Sequence, residues 1–271
     1  MKSYFENLAP EAVTDLRGRD PAVAAICQLR NTVYPISFSW LRQSFGRQNG
    51  TQGSLDRGRA VLSLKDHLDQ YLYSHGLMIK SQWDEVNSWL NVSLNNFRLI
   101  DYGCGQGLAG LLLFDKFGSQ LFDLAGSILL IEPSAVALIR AESVYRSIAP
   151  NCPIYCIRKG FGELSATDFE PVPGLETLHV FSNVLDIEGF DQIDLFRKTL
   201  TNGRHTVIVV SHDRDHDGGS NRISKLKAAL ESTDMKNWIS IFHSDFRKFK
   251  CNNPSQSDAV GWVLQMDVSN V

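Results

Sequence analysis

Short apolar runs alternate with amphipathic stretches along the chain from residue 97 onward. The apolar runs, bounded by glycine and polar residues, predict strands, and the amphipathic stretches predict helices. This alternation predicts an α/β fold, in which a mostly parallel sheet carries helices on both faces. The predicted strands cover residues 98–102, 127–131, 154–158, 177–181, 206–211, 238–242 and 261–267, and the predicted helices cover residues 108–117, 135–147, 191–200 and 220–231.

The first 95 residues contain no convincing buried strand. Apolar residues at helical spacing predict three helices there, over residues 20–32, 54–73 and 82–90. We therefore predict two parts of the chain. These are a helical N-terminal extension over residues 1–95, and an α/β domain over residues 96–271 that carries the chemistry.

A glycine-rich turn joins the first predicted strand to the first helix of the α/β part, where residues 99–107 read LIDYGCGQG. Gly103, Gly105 and Gly107 permit positive φ angles and the close approach of a ligand. A strand, a glycine turn and a helix start together direct several backbone N–H groups towards one point. The spacing G-x-G-x-G differs from the G-x-G-x-x-G of dinucleotide-binding enzymes. Asp101 precedes the first glycine by two positions.

A second acidic residue ends the next predicted strand. Residues 127–131 form a continuous apolar run, typical of a strand covered on both faces, and Glu132 and Pro133 follow it. Glu132 lies 25 residues after Gly107 (132 − 107), a spacing that suits a strand–helix–strand unit. In one interpretation its carboxylate accepts hydrogen bonds from both hydroxyls of a ribose. In the other, it caps the helix that begins near Ser134.

Together these residues resemble the first motif and the following acidic position of the class I S-adenosylmethionine-dependent methyltransferases. The resemblance covers roughly residues 97–268. It implies a seven-stranded, doubly wound, mostly parallel sheet whose last strand is antiparallel, with S-adenosylmethionine as cofactor and S-adenosylhomocysteine as product. Because the sulfonium methyl group is already reactive, the protein of such an enzyme mainly aligns the reacting atoms and excludes water.

The resemblance also implies roles for individual residues. Asp101 orients the methionine part of the cofactor, the three glycines let the chain pass beneath it, and Glu132 binds the ribose. Where the family often has an acidic residue that bonds adenine, this chain has Phe161, which either stacks on the adenine or belongs to the core. The cofactor-binding residues predicted in this way are Asp101, Gly103, Gly105, Gly107, Glu132, Pro133, Phe161, Gly162, Ser182 and Asn183.

Residues at the ends of the fourth and fifth predicted strands are candidates for contact with the acceptor. Ser182 and Asn183 either bind cofactor or acceptor, or simply end their strand. His212 follows the fifth strand, and we take it as the candidate general base. Two histidines and three aspartates between His212 and Asp217 raise the alternative of a metal site. Hard cations prefer shells of oxygen alone, and we predict no metal.

The stretch from residue 71 to 80, YLYSHGLMIK, places aromatic and polar groups shortly before the first strand. In several methyltransferases the corresponding part folds over the cofactor as a lid. Tyr71, Tyr73, His75 or Lys80 would then meet the cofactor or the substrate. The alternative is an ordinary helix that ends at Gly76.

Composition narrows the class of protein. The chain has 271 residues, of which 43% are hydrophobic and 21% charged, as in a soluble globular protein. No run approaches the roughly 18 apolar residues of a membrane span, and the N-terminus lacks an apolar signal core. We therefore expect a cytoplasmic protein without a membrane partner. The five cysteines are scattered and odd in number, which argues against a disulfide framework.

Charge is unevenly distributed. The net charge of −3 gives no overall attraction to nucleic acid. Residues 1–60, however, contain eight Lys and Arg against five Asp and Glu, which makes this segment +3 and the remainder −6. The basic N-terminal segment fits either contact with RNA or an ordinary solvated helical cap. RNA is therefore a candidate partner.

We predict that the protein is an S-adenosylmethionine-dependent methyltransferase whose acceptor, a small molecule, a protein or RNA, the sequence does not identify. One alternative is a non-catalytic protein that keeps the fold for binding or assembly, and the intact Asp101, glycines and Glu132 argue against it. Another is a nicotinamide-dependent oxidoreductase. The glycine spacing and the lack of a Tyr-x-x-x-Lys dyad after the fourth strand argue against that alternative.

Overall fold

The computed structural model describes residues 3–29, 36–91, 93–214, 219–232, 237–252 and 256–269. Within these residues, seven strands form one sheet. The strands are β1 (Phe97–Tyr102), β2 (Ala125–Ile131), β3 (Ile154–Ile157), β4 (Glu176–Ser182), β5 (Gly203–His212), β6 (Ile239–Lys250) and β7 (Asp258–Val268).

The strand order across the sheet is β3-β2-β1-β4-β5-β7-β6. The first five strands in this order are parallel, and β7 pairs antiparallel with both β5 and β6. The prediction of a seven-stranded, mostly parallel α/β sheet with a late antiparallel strand is confirmed. Chain order reverses between β1 and β4, and in open α/β sheets ligands bind at such a reversal, outside the carboxyl ends of the strands.

The described residues form nine α-helices. They are α1 (Pro10–Gly18), α2 (Pro21–Leu29), α3 (Phe38–Phe45), α4 (Lys65–Trp89), α5 (Leu108–Phe117), α6 (Ser119–Phe122), α7 (Ala135–Ile148), α8 (Gln192–Thr199) and α9 (Gly219–Leu230). No helix in the described ranges combines the length and apolar character that crossing a membrane requires. The predicted helix over residues 20–32 corresponds to α2, and residues 30–32 lie outside the described ranges.

The prediction of separate helices over residues 54–73 and 82–90 is wrong. A short 3-10 helix, Gln52–Gly58, comes first, and α4 then runs unbroken for 25 residues. Gly76 lies inside α4, so it does not end a helix. A Cβ at Gly76 would lie 3.3 Å from Cζ of Phe38 on α3. The glycine therefore allows the two helices to pack closely.

Both faces of the sheet are buried. One hydrophobic cluster joins the sheet to α4, α5 and α7, and it also takes in Val23 and Ile26 of α2. The second cluster lies on the opposite face with Phe196 of α8 and Ile223 of α9. The N-terminal helices thus share a core with the sheet, whereas the predicted domain boundary at residue 95 stays a prediction.

A buried arginine also ties the N-terminal helices to the glycine turn. Arg140, on α7, is 0% exposed. Its Nε and Nη2 donate to the two carboxylate oxygens of Asp20 at 2.7 and 2.9 Å, and Nη2 also donates to Asp69 at 2.9 Å. Its Nη1 donates to Oε1 of Gln106 at 3.0 Å, and the Gln106 amide donates to the Leu68 carbonyl at 3.1 Å. The position of α4 relative to the turn is therefore fixed by buried hydrogen bonds.

Candidate functional site

A cavity of about 300 Å³ opens at the carboxyl ends of β1, β2 and β4. Every residue predicted to bind the cofactor lines it except Gly107. The lining residues from the prediction are Asp101, Gly103, Gly105, Glu132, Pro133, Phe161, Gly162, Ser182 and Asn183. These residues come from the ends of β1 and β4 and from the segments that follow β1, β2, β3 and β4, and they meet in one place. Their roles toward a ligand stay predictions.

The three glycines of the turn have different surroundings, although all have positive φ angles. A Cβ built on Gly105 has no protein atom within 4 Å, so a side chain there would project into open space beside the cavity. A Cβ on Gly103 would lie 2.7 Å from Cγ1 of Val184. A Cβ on Gly107 would lie 3.2 Å from Ala141 of α7, so Gly107 lets α5 and α7 pack together.

Glu132 connects the end of β2 to the glycine turn. Its Oε2 accepts from the Gly105 N–H at 3.1 Å, and its Oε1 accepts from the Ser134 N–H at 3.0 Å. Ser134 itself caps α7 through a bond from Ala137 N–H. Burial raises the pKa of Glu132 to about 7, although both backbone donors favour the ionised form. The carboxylate therefore faces the turn at the edge of the cavity.

Asp101 is a buried carboxylate with one free oxygen. Its Oδ2 accepts from the hydroxyl of Tyr145 at 2.8 Å, and its Oδ1 is buried without a hydrogen-bond partner. Burial raises the pKa of Asp101 to about 7, and the charge of Glu132 adds to this effect. Buried polar atoms in proteins are nearly always paired, so an unpaired oxygen at a cavity is suited to a ligand donor.

One wall of the cavity is apolar. The rings of Phe161 and Phe190 have centroids 4.7 Å apart, and both line the cavity with Val184. Phe161 is partly buried, which leaves part of its surface towards the cavity. Glu163, two residues after Phe161, accepts a hydrogen bond from the Gly160 N–H at 2.7 Å and does not line the cavity.

Helix α4 holds the end of β4 in position. Trp83 Nε1 donates to the hydroxyl of Ser182 at 3.0 Å, and Asn183 Nδ2 donates to Oε1 of Gln82 at 2.8 Å. Asn183 has a φ of 56°, a left-handed conformation that is uncommon outside glycine. Strained backbone of this kind concentrates at functional sites.

His212 is the last residue of β5 and does not line the cavity. Burial lowers its pKa, and the nearby charge of Asp186 opposes that effect. Its role as a general base stays a prediction. Asp215, His216 and Asp217, which belong to the metal alternative, lie outside the described residues.

The lid alternative named Tyr71, but sequence reasoning missed the aliphatic residues that the first 95 residues contribute to the cavity. Leu62, Leu68, Tyr71 and Ile79 line it, and Gln106 of the glycine turn lines it as well. Tyr71 belongs to the stretch 71–80 that we considered as a lid, and the aromatic and polar residues of that stretch were the signal for its contact with the cavity. No local pattern marks the aliphatic residues, because they reach the cavity only when α4 and the segment before it pack against the sheet.

Several arginines of the basic N-terminal segment are paired within the chain. Arg17 contacts Glu142 at 3.1 Å, and Arg19 contacts Asp15 at 2.5 Å. Such pairs reduce the positive charge that this surface presents to an anion. Contact with RNA through the segment stays a prediction.

Comparison with known proteins gives distant relatives. No family model matches the chain. A curated tRNA U34 carboxymethyltransferase of Shewanella amazonensis is 28% identical over 193 residues, which is 66% of this chain and 54% of that protein. Its counterpart from Shewanella putrefaciens is 28% identical over 153 residues, covering 52% of this chain and 44% of that protein. The chain spans about half the length of the curated relatives it matches.

Solved structures give weak similarities. M. jannaschii TYW2 in complex with AdoMet aligns with a TM-score of 0.46 at 14% identity, covering 75% of this chain and 81% of that chain. A SAM-dependent methyltransferase from Aquifex aeolicus aligns with a TM-score of 0.44 at 11% identity, covering 71% and 93% of the two chains. The fold of the present chain is defined by its own strand order, β3-β2-β1-β4-β5-β7-β6 with β7 antiparallel. This order, the glycine turn after β1 and the acidic residue after β2 match the sheet and motifs that the resemblance to the class I S-adenosylmethionine-dependent methyltransferases implies.

Proposed function

We propose that the chain binds S-adenosylmethionine in this cavity and transfers its methyl group to an acceptor. The observation that carries the proposal is the unpaired Oδ1 of Asp101 at the same cavity as the open space beside Gly105. An ammonium group can donate to Asp101, and ribose hydroxyls can donate to Glu132. The partly buried ring of Phe161 suits a stacked adenine.

The charge of the cavity supports a cationic ligand. Asp101 and Glu132 both line it. Among the described residues, the cations that line it are Arg59, which pairs with Asp56 at 3.1 Å, and Lys159, which pairs with Asp168 at 2.8 Å. A positive sulfonium is therefore favoured. The additional carboxylate of a carboxymethyl group, by contrast, would meet acidic groups and cations that are already paired. For this reason we propose a methyl group as the transferred unit, although the relatives are named for carboxymethyl transfer.

When bound, the cofactor supplies a methyl group on a positively charged sulfur. The residues of this chain orient the cofactor and exclude water from it. The apolar wall of Phe161, Val184 and Phe190 offers water no hydrogen-bonding side chain on that side of the cavity. His212, kept neutral by burial, is the candidate to accept a proton from the acceptor.

The acceptor class to test first is RNA. The names of both Shewanella relatives refer to a tRNA uridine. Internal pairing of Arg17 and Arg19 weakens the case for the basic segment as the RNA contact. RNA would then be recognised near the cavity itself.

The test is transfer of radiolabelled methyl from S-adenosylmethionine to total tRNA, with a total protein extract and a metabolite extract as parallel acceptors. Label in any of them that disappears with a cofactor-site variant supports a methyltransferase and names the acceptor class. Cofactor binding without transfer to any of the three favours the alternative, a methyltransferase-fold binding or assembly protein. Absence of cofactor binding contradicts the proposal.

A further inference from the structure

Tyr145, on α7, contacts Asp101 without lining the cavity. It is 0% exposed, and its hydroxyl donates to Oδ2 of Asp101 at 2.8 Å. The other carboxylate oxygen, Oδ1, is the one that is buried without a partner. The hydroxyl therefore occupies one oxygen of Asp101 and leaves the other to a ligand.

The position of the Tyr145 ring depends on a glycine inside α5. A Cβ on Gly110 would lie 2.6 Å from Cε1 of Tyr145, and closer still to its Cζ and hydroxyl oxygen. Any side chain at position 110 would therefore displace the ring. A glycine inside a helix lowers stability relative to alanine, and the space it leaves for the phenol accounts for this one. Phe122 packs edge-on against the same ring, with centroids 6.4 Å apart.

The ionisable groups around Asp101 come from four parts of the fold. They are Glu132 after β2, Cys104 in the glycine turn, Tyr145 on α7 and Tyr71, which lines the same cavity from α4. Burial raises the pKa of the Cys104 thiol and of both phenols, so these three groups stay protonated at neutral pH. The charge of Glu132 raises the pKa of Asp101, whereas the hydrogen bond from Tyr145 lowers it, because that bond favours the carboxylate.

We propose that Tyr145 is a positioning residue for the cofactor: its hydroxyl fixes the Asp101 carboxylate so that Oδ1 faces the cavity and accepts from the ammonium group of the cofactor's methionine part. The proposal rests on the proposed function, because it concerns how the cavity holds S-adenosylmethionine. Gly110 contributes by leaving room for the ring. Without the hydroxyl, Oδ2 becomes a second unpaired buried oxygen, and the carboxyl group holds its proton more tightly and accepts less well from a cation.

Tyr145→Phe removes the hydroxyl and keeps the ring. Tyr102→Phe is the matched control, because Tyr102 is also 0% exposed and its hydroxyl also bonds a titratable side chain, Nδ1 of His179 at 2.9 Å. Neither Tyr102 nor His179 lines the cavity. Each variant should lower the Tm by about 2–4 °C, because each loses one buried hydrogen bond.

The first measurement needs no ligand. Carbon NMR of protein with isotope-labelled aspartate carboxyl groups follows the titration of Asp101, whose signal is assigned by its loss in Asp101→Asn. In the wild type the midpoint should lie at about 7. In Tyr145→Phe it should rise by about one pH unit, whereas Tyr102→Phe should leave it unchanged. Gly110→Ala, which keeps the hydroxyl but displaces the ring, should raise the midpoint as well.

The second measurement is the affinity for S-adenosylhomocysteine, which carries the same ammonium group, at two pH values. With a rise of about one unit, the affinity of Tyr145→Phe should be about tenfold below that of the wild type at pH 6 and within about twofold of it at pH 8.5. The difference closes because Asp101 is mostly ionised in both proteins at the higher pH. A purely structural defect would instead weaken binding equally at both pH values.

An Asp101 midpoint that Tyr145→Phe leaves unchanged overturns the role of Tyr145. An affinity loss that is equal at the two pH values, or a midpoint shift of the same size in Tyr102→Phe, overturns it as well. These results refute only the positioning role as long as the wild type binds S-adenosylhomocysteine. A wild type that does not bind it refutes the proposed function.

Discussion

Two groups of buried polar side chains in this chain are built in opposite ways. Around Arg140, every guanidinium nitrogen donates to Asp20, Asp69 or Gln106 at 2.7 to 3.0 Å. Asp101 at the cavity, by contrast, has one carboxylate oxygen paired with Tyr145 and the other unpaired. Asp186, in the loop after β4, likewise has one oxygen paired with Arg214 and the other unpaired. Both groups are shielded from solvent, so exposure does not explain the difference.

The contrast separates residues that hold the fold from residues kept for a ligand. A fully paired buried network stabilises one arrangement of helices, whereas a partly paired one costs stability until something completes it. Changes around Arg140 should therefore reduce the free energy of unfolding. Changes at the cavity should reduce ligand affinity and leave the fold intact.

The largest expected effect is on stability. Arg140→Met leaves the carboxylates of Asp20 and Asp69 buried without their cation, which should cost about 3–5 kcal/mol of unfolding free energy. Guanidinium denaturation followed by circular dichroism measures this. Arg19→Met is the control, because the Arg19 side chain is 74% exposed and its loss should cost less than about 1 kcal/mol. A loss of similar size in both variants would contradict the scaffold role of Arg140.

Gly105→Val tests whether a change at the cavity lowers ligand affinity. Its side chain would occupy the open space that we assign to the cofactor, so S-adenosylhomocysteine affinity should fall about 100-fold or more, roughly 3 kcal/mol. Gly50→Val is the matched control, because Gly50 also has a positive φ and no atom within 4 Å of a Cβ. Both variants should lose similar stability, and calorimetry should show lost affinity only for the first. Unchanged affinity in Gly105→Val would refute the site.

Glu132→Gln should weaken S-adenosylhomocysteine binding by roughly 1.5–3 kcal/mol, because a charged acceptor for the ribose hydroxyls is lost. The same titration with Glu163→Gln serves as control. Glu163 does not line the cavity, and a glutamine oxygen at this position can still accept from the Gly160 N–H, so the replacement should change the affinity less than twofold, about 0.4 kcal/mol. An equal loss of affinity in the two variants would contradict the assignment of Glu132 to the ribose.

The smallest effect is a dependence on pH. The pKa values of Asp101 and Glu132 are raised to about 7, so each is partly protonated near neutrality. A cationic ligand favours their ionised forms, and it must displace protons below pH 7. S-adenosylmethionine affinity should therefore rise by up to about tenfold from pH 6 to pH 8, and S-adenosylhomocysteine affinity should rise less. Affinity of the sulfonium ligand that falls over this range would contradict the charge assignment.

Features of this site that arise from adjacent residues could be predicted from the sequence. The glycine turn and Glu132 follow directly after apolar strands, so their meeting at one sheet edge follows from the parallel order. Gly107 shows the limit of such predictions. Its spacing matched a ligand-binding motif, but it faces α7 and does not line the cavity. The contacts of Tyr71 and Gln82 depend on how α4 packs against the sheet, and no local pattern encodes that packing.

Strand β6 shows a second limit. Alternation predicted only residues 238–242, whereas the strand runs over Ile239–Lys250. It lies at the sheet edge, where many of its side chains are exposed, so apolar and polar positions do not alternate. Burial on both faces made β2 easy to identify, and exposure hid most of β6.

Calorimetric titration of the wild-type protein with S-adenosylhomocysteine, with NAD as the comparison ligand, tests the central claim most directly. The unpaired Asp101, the open space beside Gly105 and the carboxylate of Glu132 predict micromolar binding of S-adenosylhomocysteine and no binding of NAD. Binding of NAD alone, or of neither ligand, would contradict the assignment of this cavity to S-adenosylmethionine.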